Sequence, residues 1–188
     1  MPLYNPMGMT YDFPVNISPP VARWVMPGWL IQTVGNSPGL TSGVIWYQPI
    51  FVSQSTLFSH IGVLITNLRA GGLIDLRIFK GAAGLPTSLV LSCGTVSTTN
   101  AVAVSIAIAQ TLSRGYYFLA MRGDATAAGA NISAVATGIP VVQGYGATCG
   151  VASGDLIIMA VTSAFADPAP APTSTIAMTA AGIWLREN

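Results

Sequence analysis

A strict two-residue alternation of side chains through residues 57–122 restricts this chain to a β fold. In LIDLRIF, Ile74, Leu76 and Ile78 fall on one face, with Asp75 and Arg77 on the other. In VAVSIAI, Val102, Val104, Ile106 and Ile108 share a face, opposite Ala103, Ser105 and Ala107. Strands send successive side chains to opposite faces, so a period of two marks half-buried strands and excludes helices. Turn chemistry cuts the runs apart: Gly71-Gly72, Gly81 through Pro86, Gly94 to Asn100, and Ser113-Arg114-Gly115.

Strands are expected at 30–34, 44–52, 57–66, 73–79, 88–93, 101–109, 115–121 and 156–161, with a last one in Ile183-Trp184-Leu185-Arg186. In the third of these, Ile61, Val63 and Ile65 share a face. Pro49 inside the second suggests an edge or a bulge. Residues 123–155 are rich in Gly and Ala and read as a long excursion with one short strand near 139–142. The prolines of 168–172 make a stiff extended bridge. No stretch carries a capped i, i+3, i+4 stripe. The expected fold is an all-β antiparallel sandwich, jelly-roll-like, formed as a single domain by residues 29–188.

Residues 1–28 form an extended arm. Pro2, Pro6, Pro14, Pro19, Pro20 and Pro27 remove donors and disfavour both a regular helix and a central strand. Yet Leu3, Tyr4, Met7, Met9, Tyr11, Phe13, Ile17 and Trp24 stand among very few charges. Such an arm is suited to lie in a groove, on its own domain or on a neighbour, and these residues are its expected assembly contacts.

Composition points to partners. Only 7% of the 188 residues are charged, against about 25% in ordinary soluble domains. Seven Lys and Arg and six Asp and Glu cannot cover a free monomer, so part of the surface is expected to meet other subunits. The basic residues are scattered singly and the net charge is +1, so no nucleic-acid partner is expected. Mean hydropathy is +0.61, but no run reaches the roughly 18 apolar residues of a spanning helix, and no membrane partner is expected. Cys93 and Cys149 do not make a disulfide framework. They read as two reduced thiols of a protein made in the cytoplasm, although a single bridge stays open.

No catalytic constellation is apparent. His60, the one histidine, stands inside an apolar strand and reads as a packed or rim residue rather than a base. Asp12, Asp75, Asp124, Asp155, Asp167 and Glu187 are isolated in sequence. Asp124 and Asp155 flank the long excursion but each reads as a turn residue. The donor set is too sparse for zinc or calcium, so no metal and no cofactor is expected. Trp24, Trp29, Trp46, Tyr47 and Tyr145 are candidates for a sugar platform, with packing the simpler reading for most. Tyr145, between Gly144 and Gly146, is the exception and the expected ligand or partner loop.

The ordered motifs of 57–122 resemble the jelly-roll module of tailed-bacteriophage virion proteins, of the head-decoration, head-fibre and tail-fibre types. An alternating strand, LFSHIGVLIT, leads to Gly71-Gly72 and LIDLRIF. A Gly84-Leu85-Pro86 turn then precedes a Leu/Val strand ending in Gly94-Thr95-Val96-Ser97. After VAVSIAI comes Leu112-Ser113-Arg114-Gly115-Tyr116-Tyr117-Phe118-Leu119-Ala120. The closing Ile183-Trp184-Leu185-Arg186 is also similar. Where such modules often carry a Tyr and a short polar turn, this chain has Phe79-Lys80-Gly81-Ala82-Ala83. The resemblance implies a virion protein assembled in the host cytoplasm. With the charge-poor surface and the arm, it leads to the expectation of a non-enzymatic capsid decoration or cement protein. Its partners would be other copies, a trimer being favoured, and the major capsid protein or other virion proteins. The alternative is a tail-fibre or receptor-binding module for host surface glycans. Small, uncharged Ala103, Ser105 and Ala107 then suggest a face pressed against another sheet or subunit.

Overall fold

The computed structural model describes residues 24–25, 33–36, 39–136, 158–176 and 179–187. Among them are thirteen strands and no helix: β1 (Trp24–Val25), β2 (Thr33–Asn36), β3 (Val44–Val52), β4 (Thr56–Asn67), β5 (Leu73–Ala82), β6 (Leu85–Ser97), β7 (Ala103–Leu112), β8 (Gly115–Gly123), β9 (Asn131–Ala136), β10 (Ile158–Thr162), β11 (Ser174–Ile176), β12 (Thr179–Ala181) and β13 (Ile183–Glu187). They build an antiparallel β-sandwich. One sheet has six strands in the order β11-β10-β3-β8-β5-β6. The other has seven: β1-β13-β4-β9-β12, with β7 on β4 and β2 on β9. β7 and β13 pair with overlapping stretches of β4, so they flank it on opposite edges, and β9 takes over from β13 beyond Val63. From β3 onward the chain alternates between the sheets, staying in one only for β5-β6, β10-β11 and β12-β13.

The alternation read from the sequence becomes the interior. Ile74, Leu76 and Ile78 of β5 face Phe58, Ile61, Val63 and Ile65 of β4 across the sandwich, within one apolar cluster with Trp46, Leu119, Met121 and Ile183. Phe58 joins this face only because a register shift between Phe58 and His60 inserts an extra residue. Gln48 is a buried polar residue of the interior, and its Oε1 accepts from the Ile183 backbone N–H at 3.1 Å, tying β3 to β13 of the opposite sheet. Among the described residues, Gln48 Nε2 and Trp46 Nε1 have no hydrogen-bond partner.

A second apolar cluster lies on the outer face of the six-stranded sheet: Ile45, Tyr47, Phe79, Phe118, Ala120 and Val161. Residues 163–173 strap across it. Phe165 stacks on Phe79 with ring centroids 6.0 Å apart. The Arg77 guanidinium caps Phe165 at 4.4 Å and is held by Asp75 at 2.9 Å. Leu89 N–H donates to Asp167 Oδ1 (3.0 Å), Ala169 N–H to the Thr87 carbonyl (2.6 Å), and the Tyr47 hydroxyl to the Pro170 carbonyl (3.2 Å). Proline suits such a strap. Pro168, Pro170 and Pro172 bring no N–H to an apolar surface, while Ala169 and Thr173, which have one, each find a carbonyl.

One end of the sandwich is sealed. Buried Thr98 donates its hydroxyl to the Arg69 carbonyl (2.7 Å) and its N–H to the Gly72 carbonyl (2.8 Å). Asp124 Oδ1 accepts from Ala127 N–H (2.7 Å), which folds 124–130 over this end. Gly72 is required there: a Cβ would stand 2.5 Å from Thr98 Oγ1 and 2.6 Å from the Ala127 Cα.

The strand bounds at 44–52 agree with those read from sequence, and most others shift by a few residues. Three expectations need correction. Residues 123–155 are not one excursion, because β9 joins the seven-stranded sheet with Ile132 fully buried. Val102 does not start the apolar row of β7 but is exposed in the preceding turn. β6 does not close at Cys93 but runs on to Ser97, with one register shift between Ser92 and Gly94 and two more nearer its start. Within the expected arm, Trp24–Val25 pairs with β13. Residues 1–23 and the expected strand at 139–142 lie outside the described residues.

Two variants check this account. Gly72→Ala is expected to cost about 1–3 kcal/mol by forcing a methyl into occupied space. Phe165→Ala is expected to cost about 2 kcal/mol, because it uncovers Phe79 and Arg77. Urea unfolding curves measure both, and a cost under about 0.5 kcal/mol for Phe165→Ala contradicts a stabilising strap.

Candidate interaction surfaces

Each titratable group named from the sequence falls within the described residues or outside them. His60 lies on β4, partly exposed, with Nδ1 3.1 Å from the Ser59 hydroxyl and its ring 6.1 Å from that of Trp24. Asp75 pairs with Arg77, Asp124 caps its turn and Asp167 holds the strap. Asp12, Asp155 and Cys149 lie outside the described residues. No cluster of three or more His, Cys, Asp or Glu occurs among the described residues.

Cys93 of β6 is a free thiol, partly buried against the main apolar cluster. Burial pushes it from 9.0 to about 12, with Asp75 raising it further and Arg77 opposing. Burial likewise pushes the Tyr47 phenol from 10.0 to about 12. Both groups keep their protons in the folded state at a pH where the unfolded chain has lost them. The unfolded state then binds fewer protons, so stability falls as pH rises. A melting temperature flat near neutrality is expected to decline from about pH 9 towards 12, and less steeply in Tyr47→Phe. In a Cys149→Ser background at pH 8, Cys93 is expected to react with iodoacetamide at least about tenfold more slowly in the folded protein than in urea, since the thiolate is the nucleophile. Equal rates contradict its burial.

Two surfaces stand out for what they lack. The first is the outer face of the seven-stranded sheet. β7 presents Ala103, Ser105, Ala107 and Ala109, all exposed. β4 beside it presents Leu57, His60 and Leu64, with Gly62 buried low between its neighbours. The register sets Trp24, Arg186, His60 and Ala107 in one row across four strands, and Trp184, Gly62 and Ser105 in the next. Arg186 is the one formal charge along these two rows. Gly62 flattens the middle, since a Cβ there would lie 2.6 Å from the Val104 carbonyl oxygen. Among the described residues no other sheet covers Ala103, Ser105 and Ala107, the row that the sequence suggested is pressed against another sheet or subunit.

The second surface is on the six-stranded sheet, where the strap stops short. Phe51 of β3 and Tyr116 of β8 are registered partners with ring centroids 4.8 Å apart, and they are 38% and 51% exposed. On the other side of Tyr116 is Gly81, where an added Cβ would stand 3.1 Å from the Tyr116 Cβ. One residue along, and on the inner face of the same sheet, Lys80 Nζ donates to the Tyr117 hydroxyl at 3.1 Å, and that hydroxyl donates to the Ser113 carbonyl at 3.0 Å. Burial alone would raise the Tyr117 phenol, but hydrogen bonds with Ser113 and Lys80 and the lysine's charge outweigh it and bring the phenol below its ordinary value.

Of the aromatic residues singled out from sequence, Trp46 and Tyr47 are buried and cannot form a sugar platform. Trp24 is exposed on β1, at the edge of the first surface. Trp29 and Tyr145 lie outside the described residues, as do Leu3, Tyr4, Met7, Met9, Tyr11, Phe13 and Ile17. Sequence reasoning missed Phe51 and Tyr116. Their signal was parity: Tyr47, Pro49 and Phe51 share one face of VIWYQPIFV, so only the last needed to escape cover. Comparison with family models, with curated proteins and with solved structures returned no match.

Proposed function

We propose that this chain is a non-enzymatic virion structural protein, a jelly-roll sandwich that binds a phage head shell as an oligomer and stabilises it. The observation that carries the reading is the flat outer face of β7 and β4, built from Ala, Ser, Gly and Leu with almost no charge. A free surface of this kind is rare on a monomer, because nothing on it opposes association. Wide, mainly apolar burial is how permanent assemblies gain stability: at roughly 25 cal/mol per Å², a contact of standard size is worth many kcal/mol before its entropic costs. Strand order supports the jelly roll. The neighbours β3-β8-β5-β6 in one sheet and β13-β4-β7 in the other are compatible with the interleaved pairing of two Greek keys. The trimer, the virion location and the capsid partner come from the resemblance and the charge-poor composition. A glycan-binding tail-fibre module is the second reading, favoured by the uncovered Phe51–Tyr116 pair.

The test is association. Light scattering after gel filtration is expected to find an oligomer, and sedimentation with phage particles is expected to carry the protein down. Ala107→Lys and Ser105→Arg put a charge at the centre of the face, where folding is affected by only about 0.5 kcal/mol. Both are expected to give monomers that no longer co-sediment. Unchanged assembly in both variants would remove this face from the interface.

A further inference from the structure

The edges of the two sheets are protected unequally. An edge strand turns a row of unpaired backbone N–H and C=O groups outward, and proteins blunt such rows with proline, charge, bulges or brevity. Among the described residues, β6 at the edge of the six-stranded sheet carries Pro86 and three register shifts against β5. β1, β2, β11 and β12 are only two to four residues long. β7 is different. Its ten residues hold no proline, glycine or charge, its register is unbroken from Ala103 to Ala107, and it pairs with β4 alone.

The ladder identifies the free groups. Ile65 N–H donates to the Val102 carbonyl at 3.1 Å, and this pair continues the register of Val63 with Val104 and Ile61 with Ile106. Opposed residues of an antiparallel pair alternate between exchanging both bonds and exchanging none. Val104 and Ile106 therefore bond to β4, while the N–H and C=O of Ala103, Ser105 and Ala107 point away from it. The apolar flank at the same edge is also incomplete. Val104, Ile106 and Ile108 of β7, with Val90 and Leu91 of β6, pack on the core but are only partly buried. A free ladder beside an open apolar flank fits an extended segment that is apolar on one face.

This chain contains such a segment. Between Pro6 and Pro14, MGMTYDF sets Met7, Met9, Tyr11 and Phe13 on one face against Gly8, Thr10 and Asp12. It is the longest proline-free window of residues 1–23. Ten residues, 14–23, join it to Trp24, which stands in one row with Arg186, His60 and Ala107. A strand beyond Ala107 would be the fifth in that row, about 20 Å from Trp24 at the usual strand spacing. Ten extended residues span about 30 Å. Tethering within reach gives the segment a high effective concentration, which favours its own copy's edge over a neighbour's.

We propose that residues 7–13 add to the free edge of β7 in the same chain as a further strand. Met7, Met9, Tyr11 and Phe13 then turn inward and close the flank between β7 and β6. A strand at this edge leaves the outward side chains of Ala103, Ser105 and Ala107 open, so the pairing does not depend on the shell reading. Residue-resolved amide hydrogen exchange on the whole chain tests it. The amides of Ala103, Ser105 and Ala107 are expected to exchange at least about a hundredfold more slowly than free amides, at every protein concentration. Deleting residues 2–13 is expected to remove that protection, and so is Met9→Pro combined with Tyr11→Pro, which takes two N–H groups from the segment. Val104 and Ile106 should stay protected in both variants, which shows the sandwich intact; if the deletion unfolds it, the proline variant decides. The proposal is overturned if the three amides exchange freely in the whole chain, or if their protection survives both changes. Protection that fades on dilution overturns it as well, because the edge is then covered by another copy.

Discussion

The structure depends on strands that are apolar on both faces. In β3, Trp46, Ile50 and Val52 point inward while Ile45 and Tyr47 point outward; in β8 the same split separates Leu119 and Met121 from Phe118 and Ala120. An ordinary sandwich buries one face of each sheet and leaves the other to water. Here that arrangement would expose Ile45, Tyr47, Phe79 and Phe118 together. The chain solves this with three layers, the seven-stranded sheet inside and the 163–173 strap outside. The strap is effective because its prolines bring few donors, and because Tyr47, Asp167 and Thr87 supply the polar contacts that set its path.

This requirement also explains where the few charges went. Arg77 and Asp75 serve the strap through Phe165. The Arg122 guanidinium donates to the Ser163 carbonyl at 2.9 Å, where the strap begins. Arg69 donates to the Ala128 carbonyl at the sealed end, and Lys80 to Tyr117 at the other. Such contacts hold segments of the chain to one another, and each uses a charge that would otherwise have solvated a surface. The outer row of β7, with no segment to hold down, received none. An uncharged face is therefore a consequence of spending scarce charges on internal supports, and it remains available for association.

Much of the fold was legible because alternation survives wherever one face is buried. β5 and the inward row of β4 could be read directly, since Ile74, Leu76, Ile78, Ile61, Val63 and Ile65 recur every second residue. What was not legible had physical reasons. β9 reads NISAVA, whose small residues carry little periodic signal, and its pairing with β2, β4 and β12 comes from elements distant in the chain. β11 and β12 are three residues each, too short for any period. In β6 the register shifts break the alternation that the sequence displays locally. For the surfaces, the small outward residues of β7 were visible as a pattern, but the uncovered pair was not. In VIWYQPIFV every position but Gln48, and in GYYFLAM every position, is apolar or aromatic, so sequence cannot separate Tyr47, which the strap covers, from Phe51, which it misses. That distinction is made by the reach of a segment more than 100 residues away.

The two surfaces lie on opposite sides of the sandwich, and this relation constrains any assembly. The uncharged rows belong to the outer face of the seven-stranded sheet, and the aromatic pair to the outer face of the six-stranded sheet. Two packed sheets place these faces about 10 Å apart plus their outward side chains, directed away from each other. A contact through Ala107 and Ser105 therefore leaves Phe51 and Tyr116 facing away from it. Hydrophobic surface that an assembly leaves outward invites further association unless something polar or specific occupies it.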